Sequence, residues 1–226
     1  MDHKLRLESG FQLNFTNVMK DKIGPLGLAL DDLQGLAGIP AACAAMDTMR
    51  CDGEVRGHSE KVLFTRLAYQ ARDRADHLER IAAWGRTVRG GYRNLVSLGI
   101  GGSYLGNLVL AEALLSPSWN AMPDAGDRPR IFFSGNNVDP QSIRDLEQIL
   151  DLEQTMFLVI SKSGTTMETM AAFLHFHQLC RHRGLPPEKH FTAVTDPERG
   201  ILLQIARGEN WPTFEVPPGV GGRWSV

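Results

Sequence analysis

Cysteine is scarce in this chain: Cys43, Cys51 and Cys180 are the three in 226 residues. They are odd in number and too scattered for a disulfide framework or a paired-thiolate zinc site, so a reducing cytoplasm is the expected home. Long apolar runs are missing as well. No stretch approaches the ~20 apolar residues of a membrane span, and the start, Met1-Asp-His-Lys-Leu-Arg-Leu-Glu8, has no apolar core of the kind a secretory signal needs. Neither sign of charge dominates. A net charge of −2 with 22% charged residues argues against a general nucleic-acid binder, so any anion site has to be local. Internal repeats and low-complexity tracts are also absent.

What is present is enough apolar material, 42% of residues, to bury a full core in one large domain or two small ones. Residues 1 to about 50 are mixed, with short helices expected, Phe11, Leu13 and Phe15 alternating with polar residues, and an Ala-rich helix from Ala41 to Met49 ending near Gly53. From Ser59 an apolar stripe at the 3.6-residue period, Val62, Leu63, Leu67, Ala71, Leu78, Ile81, Ala82 and Trp84, predicts one long helix. Beyond Tyr92 strand-like and helix-like pieces alternate. Strands are expected at Asn94 to Gly99, Ile131 to Ser134, Phe157 to Ile160, His190 to Thr195 and Thr213 to Val216. Helices are expected from Leu105 to Leu115, after Pro140 through Ile149, from Thr166, and from an Asp196-Pro197 cap to about Arg207. Five strands joined by helical crossovers imply an α/β fold, a parallel sheet with helices on both faces. The expected division is a mostly helical segment over 1–88 and an α/β domain over 89–226.

In such sheets ligands gather beyond the C-terminal ends of the strands. Three unusual loops fall there. The first, Gly99-Ile-Gly101-Gly102-Ser103-Tyr-Leu-Gly106, fails as a dinucleotide fingerprint, because Tyr104 stands where the third glycine belongs and no acidic residue closes a second strand about 20 positions on. It reads either as a tight βα corner or as a binding loop that lets the backbone approach a ligand. The second, Ser161-Lys162-Ser163-Gly164-Thr165-Thr166, carries four hydroxyls and an ammonium into a helix N-terminus, which suits a phosphate. Thr165 and Glu168 also fit capping-box spacing, a reading that needs no ligand. The third, Gly221-Gly222-Arg223-Trp224-Ser225, puts a guanidinium on a glycine corner, either as a solvated turn or as a stabiliser of negative charge on a reacting oxygen. His175, His177 and His182 mimic a metal cluster, but positions two apart on a helix face different sides, and no metal or other cofactor is expected.

Taken in order, these three phrases resemble the phosphoglucose isomerase family, over residues from about 59 to the last. The resemblance implies the sugar isomerase (SIS) fold, a five-stranded parallel sheet in a flavodoxin-like three-layer sandwich. It implies that Ser161, Lys162, Ser163 and Thr166 seat the substrate phosphate, with Gly102 and Ser103 along the sugar. Arg223 would stabilise the enediolate between glucose 6-phosphate and fructose 6-phosphate, and Glu168 would orient a ring-opening histidine. Ser163 and Gly164 replace Thr and a bulkier residue, and Trp224 replaces Phe or Tyr. In the family the proton-shuttling carboxylate and that histidine lie downstream of the Gly-Gly-Arg phrase. The chain is therefore expected to be the N-terminal half of a cytoplasmic enzyme of glycolysis and gluconeogenesis, inactive alone. Its expected partners are a small-molecule sugar phosphate and a second copy of the full-length protein, with neither nucleic acid nor membrane. A non-catalytic phosphosugar-binding or regulatory module of the same fold is the alternative.

Overall fold

A computed structural model describes residues 3–34, 38–55, 57, 59–67, 74–122 and 128–221. Contacts divide the chain into two units, Met1–Gly57 and His58–Val226. The expected boundary between residues 88 and 89 falls inside a helix of the second unit.

The first unit opens with an antiparallel hairpin, β1 (Lys4–Arg6) on β2 (Gln12–Asn14). Short helical turns follow, and then α1 (Ile39–Asp52), which Gly53 ends in a left-handed conformation with its N–H on the Met49 carbonyl. The Ala-rich stretch predicts this helix and its stop. The hairpin was not expected, because strands of three residues are too short to establish a period of two.

In the second unit the stripe beginning at Ser59 does not form one helix. Residues 59–63 are irregular, Phe64–Arg66 is a 3-10 turn, and α2 runs over Ala75–Gly91. The Leu63 N–H donates to the Gly219 carbonyl at 2.8 Å, so a tertiary bond takes the donor that an early helical turn would orient along its own axis. Val62 and Leu63 keep their half-burial in this strap, and Ala71 lies outside the described residues.

The sheet contains β3 (Asn94–Leu98), β4 (Arg130–Ser134), β5 (Thr155–Ile160), β6 (Phe191–Thr195) and β7 (Thr213–Glu215). All pairs are parallel, in the order β4-β3-β5-β6-β7. Each strand lies within a few residues of its expected place. The connecting helices are α3 (Gly102–Leu114), α4 (Pro140–Ile149), α5 (Met167–His182) and α6 (Ile201–Gly208). Asp196 does not cap α6. Its carboxylate accepts the N–H groups of Glu198 and Arg199 at 2.9 and 3.1 Å, closing a local turn, and the helix starts only after Gly200.

Alternation along the strands gives the sheet two apolar faces. On one face Phe157, Phe173, Phe176 and Phe191 are fully buried with Trp211 beside them, packed under α4, α5 and α6. Each such ring contributes about 2–3 kcal/mol by leaving water. On the other face, α3 lies against β3 and β4, with Tyr104 edge-on to Phe133 at 5.7 Å. There the Trp84 indole of α2 donates to Thr192 Oγ1 at 3.0 Å and meets Phe214 edge-on. Along the outer strand β4, Asn120 offers its amide to Ile131, accepting from the backbone N–H at 2.9 Å and donating to the carbonyl at 2.7 Å.

Candidate functional site

The strand order reverses between β3 and β5. The chain leaves β3 for β4 on one side and returns to β5 on the other, so the loops after β3 and β5 diverge and leave a crevice at the carboxyl ends of the strands. A cleft of about 540 Å³ lies there, lined by Glu60, Ile100, Ser103, Ile160, Ser161, Lys162, Ser163, Thr166, Thr169, Asp196, Arg199 and Gly200.

The loop after β3 is a tight corner. A Cβ on Gly99 would stand 2.3 Å from the Ser103 carbonyl oxygen, so only glycine lets the strand turn directly under the first turn of α3. Asn107 fastens the corner from within the helix, donating to the Ser103 carbonyl at 3.3 Å. Gly102 opens α3, and Ser103 projects into the cleft.

The loop after β5 is built differently. Ser161 is buried at 3% exposure, and its hydroxyl accepts the Gly164 N–H at 3.1 Å. Ser163 Oγ accepts both the N–H and the hydroxyl of Thr165, at 3.2 and 2.9 Å. Thr195 of the neighbouring strand donates its hydroxyl to the Ser161 carbonyl at 2.8 Å and to that of Lys162 at 3.2 Å. Gly164, at a φ of 67°, sits where an added Cβ would be 2.3 Å from the Leu202 backbone nitrogen. Thr166 is the N-cap of α5 and makes no side-chain cap bond, and Thr165 bonds Ser163 instead. The capping-box arrangement is therefore not what this sequence forms. Some of the hydroxyls expected for a ligand hold the loop in shape.

Among the described lining residues charge is balanced, Lys162 and Arg199 against Glu60 and Asp196. The Lys162 ammonium donates to the Val220 carbonyl at 3.0 Å and lies 3.8 Å from the Glu60 carboxylate, which also pairs with Arg199. Asp196, its side chain 13% exposed, lies beside Arg199 at 3.8 Å. Burial alone would raise its carboxyl, but the Glu198 and Arg199 N–H groups and the charges of Arg199 and Lys162 outweigh that and hold it below the usual carboxylate range.

Ser103, Ser161, Lys162, Ser163 and Thr166 thus share one cleft, and Gly102 adjoins it. Glu168, the second residue of α5, is half-buried and is not one of the lining residues. Arg223 and Trp224 lie outside the described residues, although Lys162 holds the carbonyl of Val220, the residue just before the third phrase. Sequence reasoning missed Glu60, Thr169, Asp196 and Arg199. Asp196 to Arg199 stand at the end of β6, a usable signal that Asp-Pro obscures because it reads as a helix cap. Glu60 offered none. Two of the three helix histidines meet carboxylates instead: His177 Nε2 is 2.8 Å from Glu209 Oε2, and His175 Nε2 is 3.2 Å from Glu147 Oε2.

The class these observations define is a three-layer parallel α/β domain with a polar cleft at its topological switch point. A profile of the phosphoglucose isomerase family matches residues 56–226, three quarters of the chain, and the chain belongs to that family. Among curated proteins it is similar to the glucose-6-phosphate isomerase of Rubrobacter xylanophilus, 41% identical over 154 residues covering 67% of this chain and 35% of that one. The enzyme of the same name from Carboxydothermus hydrogenoformans is 35% identical over 163 residues, 72% of this chain and 34% of that one. Among solved structures, a glucose-6-phosphate isomerase from Chlamydia trachomatis superposes with a TM-score of 0.64 at 28% identity, over 88% of this chain and 40% of that chain. The chain spans about a third of the length of these curated relatives. Among the described residues no helix is long and apolar enough to cross a membrane.

Proposed function

We propose that the cleft at the β3–β5 switch point binds a hexose phosphate, and that this chain supplies the phosphate-binding part of a glucose-6-phosphate isomerase. The observation that carries the reading is the convergence of Ser103 with Ser161, Lys162, Ser163 and Thr166 on one cleft from two separate loops. In it the phosphate lies against the start of α5, where backbone N–H groups and the helix dipole favour a dianion. Lys162 and the Thr166 hydroxyl contact its oxygens, while Gly102 and Ser103 lie along the sugar.

Isomerisation between glucose 6-phosphate and fructose 6-phosphate moves a proton between adjacent carbons through an enediolate. It therefore needs a base within hydrogen-bond reach of both carbons and a cation for the developing oxyanion. Arg223 is proposed as the cation and Glu168 as the residue that orients the ring-opening histidine. None of the residues lining the cleft is nominated as the base. In this reading the parent enzyme is a cytoplasmic homodimer of glycolysis and gluconeogenesis, and this chain alone is inactive.

Calorimetry with 6-phosphogluconate tests the reading. The 226-residue chain is expected to bind it without turning over fructose 6-phosphate. Lys162→Ala should remove a charge-assisted bond worth about 1.5–3 kcal/mol, roughly a ten- to hundredfold loss of affinity, with a much smaller effect on folding. Equal losses of affinity and stability would show that Lys162 serves the loop rather than a ligand, and full turnover would show that the base has been misplaced.

A further inference from the structure

Among the described residues, the two cations that line the cleft already have an anion. Glu60 pairs with Arg199 and stands 3.8 Å from the Lys162 ammonium. It reaches them from the strap before the 3-10 turn, well outside both loops that build the cleft. The strap is fixed at its far end. Leu63 donates to the Gly219 carbonyl, and a Cβ on Gly219 would meet Leu63 Cγ and the Lys61 carbonyl oxygen at 2.7 Å. The same 217–220 turn supplies the Val220 carbonyl held by Lys162. The strap, the turn and the ammonium therefore form one connected arrangement with the Glu60 carboxylate at its open edge.

Asp196 also faces these cations, but its carboxylate is committed to two backbone N–H groups and is mostly buried. Glu60 is different. Its side chain is 56% exposed, and its partner Arg199 is 72% exposed. A pair so open to water is worth about 0.2–1 kcal/mol, little enough for a dianion to replace.

Resting on the sugar-phosphate reading, we propose that Glu60 is a displaceable counter-carboxylate. It occupies Lys162 and Arg199 in the empty cleft, yields them when a phosphate arrives, and makes Arg199 a further cation for the bound ligand. The wild-type chain then has to break the Glu60 pair before it binds, which lowers its apparent affinity by the strength of that pair.

The test is a calorimetric titration of inorganic phosphate, at fixed ionic strength, into the 226-residue chain and its Glu60→Gln, Glu60→Asp and Lys162→Ala variants. Aspartate keeps the charge but falls one methylene short of Arg199. Displacement therefore predicts that both Glu60 variants bind phosphate about two- to fivefold more tightly than wild type. Tightening in Glu60→Gln alone would mean a diffuse charge effect and would overturn the proposal, as would no change in either. If Lys162→Ala weakens phosphate while both Glu60 variants match wild type, the counter-carboxylate is wrong and the sugar-phosphate reading stands. Failure of every protein to bind phosphate overturns both. A crystal structure with phosphate in the cleft gives an independent readout that does not depend on how the variants fold. Glu60 withdrawn from Lys162 supports displacement, and Glu60 still bridging Lys162 and Arg199 refutes it.

Discussion

The corners after β3 and β5 flank the same crevice and solve the same geometric problem by opposite means. The first removes side chains: Gly99 lets the backbone fold under its own helix, and the contact that forbids a Cβ there is with Ser103, four residues on. The second is rich in side chains and depends on neighbours. Its carbonyls are held by Thr195 of β6, and its glycine packs against Leu202 at the start of α6. A corner closed chiefly by its own glycine and helix offers the cleft backbone at close range and one hydroxyl, that of Ser103. A corner braced from outside can spare the Lys162 ammonium and the Thr166 hydroxyl for the cleft, because its shape does not rest on them alone.

That contrast can be broken at its bracing points. The largest effect is expected at Gly164→Ala, where a left-handed φ and a 2.3 Å approach to the Leu202 backbone act together. The cost should be about 3 kcal/mol, seen as a lower midpoint in chemical denaturation, and it should come with weakened 6-phosphogluconate binding because the hydroxyl loop shifts with it. Thr195→Val keeps the shape but leaves the Ser161 and Lys162 carbonyls without their hydroxyl donor, and denaturation should register a loss of about 1–3 kcal/mol. A wild-type midpoint for this variant would mean that the corner is as self-sufficient as its glycine counterpart.

The smallest effect is sought in acid. The Asp196 carboxyl is held below its ordinary value in the folded chain, so the unfolded chain binds that proton more readily. The stability it contributes is fully present above the unfolded carboxylate value of about 4 and is lost as the pH falls through the lower folded value. Asp196→Asn should therefore lower stability at neutral pH and flatten its decline below about pH 4, measured as denaturation midpoints across that range. An unchanged acid limb would show that the Asp196 turn contributes nothing to the β6 side of the cleft.

Much of this architecture was legible in the sequence because period and punctuation agreed. Five apolar runs, the first four each followed by a helical period, point to the parallel sheet, and the polar letters at their ends mark two of the cleft loops. The family resemblance added residue roles that patterning could not. What could not be read was long-range. Val62 and Leu63 fit a helical stripe yet lie in a strap whose conformation is decided by a turn more than 150 residues later in the chain, at Gly219. Asp196-Pro197 carries the letters of a helix cap, yet its carboxylate closes a turn and the helix waits for Gly200. Glu60 is an ordinary charged residue until the fold brings it to Arg199 and Lys162. Local sequence reports the conformation a segment favours; it says nothing of a distant hydrogen bond or ion pair that selects another.

The amide of Asn120 has a consequence beyond the domain's own folding. β4 is an outer strand, and an outer strand's free N–H and C=O groups invite another chain to pair with them. By engaging both groups of Ile131 at once, Asn120 stands in for one residue of the strand that would otherwise dock there. A foreign strand would first have to evict it, so a single side chain acts as a stopper against fibril-like growth along that flank.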